Sequence, residues 1–117
     1  IVQKESPEWD MPAIAGVFWN RLEIGQPLES DATVNYVLGT SNLQPTFRDT
    51  EVQHPYNTYR NPGLPPGPIG NPGLAAIDGT IHPDEHDFYF FLHKPTLETV
   101  FSRTFQEHLA AKARYLD

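Results

Sequence analysis

Cysteine is absent from this 117-residue chain, which excludes disulfides, thiolate zinc sites and a cysteine nucleophile and leaves the redox compartment open. Positive charge is scarce. Eight Lys and Arg stand against fifteen Asp and Glu, a formal net charge of -7, and no basic cluster is available to displace counterions from a nucleic acid. Long apolar runs are missing too: the longest lies around residues 88–92, far short of the ~20 needed to span a bilayer. The length suits one small domain with a single core, and a monomer is expected. Because the chain opens at Ile1-Val2 without an initiator Met, it reads as a fragment whose targeting segment lies upstream.

Proline and glycine, in contrast, are concentrated. In residues 56–73, YNTYRNPGLPPGPIGNPG, nine of eighteen positions are Pro or Gly, which forbids an interior helix or a central strand. A flexible linker would be Gly/Ser-rich or charged, whereas five prolines stiffen this one behind two tyrosines. It reads either as a shaped binding surface or as an irregular connection.

Around that loop the chain alternates helical and extended patterns. From Ser6 or Asp10, either able to cap, Met11, Ile14, Ala15, Phe18 and Leu22 follow a helical period that Gly25 and Pro27 end. Asp31 is the expected N-cap of a short helix over 32–38, closed by Gly39. Residues 40–54 carry no convincing period and are read as irregular, with one turn of helix at most. Asn71-Pro72 predicts a helix start, with Leu74, Ile77 and Ile81 spaced for one buried face. DFYFFLH and LETVFS, joined by Lys94-Pro95-Thr96, predict a β-hairpin. Thr104 and Glu107 form a capping box opening a terminal helix with Phe105, Leu109, Ala113 and Leu116 on one side. Helices and a hairpin segregated along the chain predict an α+β fold.

Three groups of residues could carry chemistry. Glu5 follows the apolar pair Ile1-Val2; a carboxyl against apolar surface has its pKa raised and can donate a proton near neutral pH, although a lone glutamate is more often solvated surface. His82 and His86, with Asp84, Glu85 and Asp87, offer metal-type ligands at an i, i+4 spacing, with His54 and His93 as further candidates. Pro83 breaks the helix that spacing needs, so a solvated acidic loop is the favoured reading and no metal is expected. Tyr56, Asn57, Thr58 and Tyr59 combine ring faces that stack on sugars with amides that bond hydroxyls; local capping and packing would use the same residues.

These segments together carry a resemblance. KES at 4–6, VFWNRLEIGQPLESDATVNY at 17–36, PYNTYRNPGLPPGPIGNPG at 55–73 and the FYFFLH hairpin leading into TVFSRTFQEH at 99–108 resemble, in this order and nearly end to end, the catalytic domain of the endolytic murein transglycosylase (YceG-like) family. The resemblance implies a bacterial enzyme that cuts within peptidoglycan glycan strands at the extracytoplasmic face of the membrane, without a cofactor. An N-terminal membrane anchor and a small upstream domain are implied to precede this stretch, and cell-wall synthases are implied as neighbours. It further implies Glu5 as the catalytic acid and base, Asn20 and Asp31 as cleft residues, and Tyr56, Asn57, Thr58 and Tyr59 as glycan contacts. A glycan-binding module without activity is the alternative. The sequence departs from the family pattern at Glu29, where Gln is usual, at Ala32, where Pro is usual, and at His54, where Ser is frequent. Ala32 is expected only to loosen a helix start, and Glu29 to raise the pKa of Glu5 by like-charge repulsion if it lies nearby.

Overall fold

The computed structural model describes residues 1–39, 46 and 48–116. It begins with a single helical turn, α1 (Val2–Glu5), which Pro7 and a 3-10 turn (Glu8–Asp10) separate from α2 (Met11–Ile24). Pro12 sits in the first turn of α2, where a missing amide hydrogen costs nothing. Gly25 ends the helix at φ 74°, its N–H bonding the Arg21 and Leu22 carbonyls. Helix α2 buries Met11, Ile14, Ala15, Val17 and Phe18, more than one stripe, because neighbours cover it on several sides. Asp10 precedes the helix without capping it; its carboxylate accepts the Thr99 hydroxyl instead.

Helix α3 (Asp31–Leu38) starts one residue earlier than the sequence pattern suggests. Ser30 holds the cap position in extended backbone and Asp31 is the first helical residue, so Asp31 is not the cap. In the next segment the structure places one 3-10 turn (Asp49–Glu51); residues 40–45 and 47, part of the stretch read as irregular, lie outside the described residues. Residues 56–73 form loop throughout.

Helix α4 (Leu74–Ile81) corrects the expected start and the expected face. Pro72 lies before it, Gly73 is its cap residue, and the buried positions are Ala76 and Gly79, whereas Leu74, Ile77 and Ile81 are exposed. Close approach to α2 explains the choice: a Cβ on Gly79 would stand 3.1 Å from the Pro12 nitrogen, so only small residues fit that face. Trp19 of α2 adds a hydrogen bond from Nε1 to the Thr80 carbonyl at 2.9 Å.

Strands β1 (Phe90–His93) and β2 (Thr99–Ser102) pair antiparallel, Phe90 opposite Ser102 and His93 opposite Thr99, and are shorter than the aromatic runs containing them. Helix α5 (Phe105–Tyr115) follows; Thr104 Oγ1 accepts the Glu107 N–H, while the Glu107 carboxylate reaches the Arg103 N–H rather than that of Thr104. Phe105 and Leu109 stay largely exposed, and α5 leans on the hairpin through the Phe90 ring, 5.4 Å from that of His108. The core unites Val2, Ile14, Ala15, Phe18, Leu28 and Ala76, with Phe91 edge-on to Phe18 at 5.8 Å. Among the described residues, five helices and a hairpin make the α+β domain that the sequence predicts.

Candidate active site

Glu5 ends α1 with Val2 buried in the core behind it, and its half-buried carboxyl meets the N-terminus of α3. Oε1 accepts the Ser30 hydroxyl at 2.8 Å and, weakly, the Ala32 N–H at 3.4 Å. No hydrogen bond from the described residues reaches Oε2. Burial pushes the carboxyl above the ordinary glutamate range; the Ser30 hydroxyl draws it down, the Asp31 charge pushes it up, and the Ala32 N–H and His93 oppose that push. When the acid is protonated, its hydrogen belongs on Oε2, since Oε1 already faces two donors.

The neighbours of Glu5 are placed by the 56–73 loop. Thr58 is buried, and its carbonyl and Oγ1 accept the Glu29 and Ser30 amides at 3.2 and 2.9 Å, fixing the turn into α3. Thr33 Oγ1 lies 2.9 Å from Thr58 Oγ1 and closes the same small network. Tyr59 donates its hydroxyl to Asp31. Burial, then this bond to Asp31, raises the Tyr59 pKa; burial also raises that of Asp31, against the pull of the Tyr59 hydroxyl. Further along, Gly73 N–H bonds the Gln3 side chain at 2.8 Å and Gly70 lies against Lys4, so the loop braces α1 directly.

Like Thr58, Asn57 and Asn20 are occupied inside the fold. Asn57 is fully buried: Nδ2 donates to the Thr50 and Val52 carbonyls and Oδ1 accepts the Tyr59 N–H, leaving no exposed polar atom. Asn20 gives its amide hydrogens to the His86 and Phe88 carbonyls at 2.9 and 3.0 Å, holding the segment after α4 to α2. Tyr56 is half-buried, its ring 5.1 Å from that of Tyr36, an exposed residue on α3 absent from the sequence-derived candidates.

Of the three departures from the family pattern, Ala32 behaves differently from its sequence reading. Ala32 supplies an amide donor to Glu5 that proline would lack, and Asp31, not Glu29, is the carboxylate that acts on Glu5. His86 has both ring nitrogens engaged, Nε2 with the Ala13 carbonyl and Nδ1 with the Phe88 N–H, and no group of three metal-type ligands forms among the described residues. An apolar cavity of about 580 Å³ opens between Val2, Phe18, Leu28, Ile69 and Ile77; Glu5 does not line it.

Sequence reasoning did not single out Ser30 or Arg21, and it named His93 only as a metal-type candidate. Ser30 was hidden by the stronger capping signal of Asp31. Arg21 is buried and donates to the Tyr89 and Leu28 carbonyls, linking α2 to the hairpin and to the turn before α3. Its neighbours Asn20 and Glu23 look like an ordinary polar helix surface. His93 Nε2 lies 2.7 Å from the Glu5 carbonyl, a pairing across 88 residues that no local pattern reveals.

These features define a small α+β domain in which two neighbouring carboxyls, Glu5 and Asp31, are partly desolvated. The chain belongs to the YceG-like family, whose model matches residues 1–114. It is 42% identical over 117 residues to a Bacillus subtilis (strain 168) protein named endolytic murein transglycosylase, covering 99% of this chain and 32% of that protein. A protein of the same name from Streptococcus pneumoniae (strain D39) is 36% identical over 113 residues, covering 92% of this chain and 20% of the relative. The chain therefore spans a third or less of these curated relatives. The crystal structure of a YceG-like protein from Listeria monocytogenes superimposes with a TM-score of 0.91 at 42% identity, covering 95% of this chain and 37% of that one.

Proposed function

We propose that this domain cleaves peptidoglycan glycan strands internally, between MurNAc and GlcNAc, without water and with Glu5 as both acid and base. Protonated Glu5 gives its Oε2 hydrogen to the oxygen leaving the MurNAc anomeric carbon, and the C1–O bond breaks. The resulting carboxylate is stabilised by the Ser30 hydroxyl and the Ala32 N–H, donors already in place before charge develops. Oε2 then removes the proton of the same sugar's C6 hydroxyl, whose oxygen closes on C1. The product is a 1,6-anhydro-MurNAc end, and the acid is restored in its starting form. One carboxyl suffices because the nucleophile belongs to the substrate, unlike the paired carboxyls of hydrolytic glycosidases.

The observation that carries this reading is the asymmetry of Glu5: one oxygen held by two donors, the other without a hydrogen bond from the described residues, with the pKa raised chiefly by burial. Tyr59, Asp31 and Tyr56 are the residues of the implied contact set that remain available to face a glycan, while Asn57 and Thr58 shape the loop beneath them. The names of the relatives support peptidoglycan as the substrate.

Glu5→Gln is expected to abolish release of anhydro-ended muropeptides from sacculi, read by mass spectrometry, with the fold intact. Reducing ends in place of anhydro ends would mean hydrolysis. Equal glycan binding by wild type and Glu5→Gln with no cleavage by either would favour a binding module.

A further inference from the structure

We propose that His93 is a positioning residue for Glu5, holding the backbone of the acid through a hydrogen-bonded chain that runs from Asp10 through Thr99. The inference rests on the assignment of Glu5 as the reacting acid. Helix α1 is four residues long, and the carbonyl of Glu5 at its end has no partner within the helix. His93 fills that place from the far end of the chain: Nε2 meets the Glu5 carbonyl at 2.7 Å and, since a carbonyl only accepts, Nε2 carries hydrogen.

The ring is fixed from its other side. Nδ1 lies 3.1 Å from Thr99 Oγ1, and Thr99 is the residue directly opposite His93 in the hairpin. Thr99 Oγ1 in turn donates to Asp10 Oδ2, on the 3-10 turn that follows α1. The chain therefore leaves the hairpin, touches both ends of the segment joining α1 to α2, and fixes the stem from which the Glu5 side chain projects. A misplacement of about 1 Å at a reacting group can cost ~100-fold in rate, which gives such a brace a catalytic consequence.

The brace also has an electrostatic effect. A positive charge on His93 favours the ionised form of Glu5 and so tempers the push from burial. The other charged or titratable groups acting on this region include Arg21 on α2, Glu29 in the turn before α3, Asp31 on α3 and Tyr59 on the loop. Arg21 is a second cation whose charge interacts with that of Glu5, so His93 does not act on the carboxyl alone.

The test combines kinetics with a readout that needs no turnover. In the intact chain, His93→Ala is expected to lower kcat by roughly 10- to 100-fold with little change in KM. His93→Gln, whose terminal amide can place an N–H where Nε2 stands, should recover a large part of that loss, and Thr99→Val should lose less than His93→Ala. Carbon-13 NMR of the Glu5 carboxyl should show its titration moving to higher pH in His93→Ala. Equal losses in the Ala and Gln variants with matched melting, or an unmoved Glu5 titration in both, would overturn the proposal. If wild type releases no anhydro ends while the titration still follows His93, the reaction assigned to the site fails and the positioning role stands.

Discussion

At the scale of single residues, a raised carboxyl has a thermodynamic consequence that is separate from chemistry. The folded-state value of Glu5 lies above its unfolded value, near ~4.3 for glutamate, so its contribution to stability is full below that value and is lost as pH rises through the folded one. Glu5→Gln keeps an acceptor for Ser30 and removes the buried charge. It should therefore melt roughly a few degrees higher than wild type at pH 7, with the gap closing towards pH 4, as calorimetry across that range would show. Two neighbours should move the activity profile in opposite directions. Asp31→Asn removes the like charge and should shift the alkaline limb of kcat/KM to lower pH; Ala32→Pro removes an amide donor and should shift it to higher pH. Residues that merely shape the site would leave that limb where it is.

At the scale of elements, what the sequence made legible was whatever depends on local spacing. The α2 face, the Gly25 stop, the Thr104 cap and the hairpin were all readable because each is decided within about a dozen residues. The face of α4 was not, since Leu74, Ile77 and Ile81 have the right period but Ala76 and Gly79 have the right size for contact with α2. Glu5 and the loop at 56–73 stood out as candidates, whereas the donors that hold the acid come from positions 25, 27 and 88 residues away and leave no local trace. The loop itself proves to be a brace: Thr58 fixes the turn before α3, and Gly73 ties down α1. Replacing Pro65 and Pro66 by Ala should loosen it and lower cleavage more than it lowers the melting temperature, because these prolines restrict the loop rather than fill the core. Parallel melting and activity measurements decide this; equal losses would assign the loop a purely structural role.

At the scale of the whole molecule, the core is small and is centred on α2, so its stability margin is narrow. Ile14 is completely buried in that centre, and Ile14→Ala should cost ~2–5 kcal/mol by urea denaturation, a large part of the ~5–15 kcal/mol typical of a domain. Among the described residues no helix is long and apolar enough to cross a membrane. The single turn that carries the acid is far shorter than the ~12–15 residues at which an isolated helix becomes even marginal in water, so it owes its shape to distant partners. Those partners, Gly73 and His93, lie 70 and 88 residues further along the chain. The raised pKa of Glu5 therefore depends on contacts made across most of the sequence.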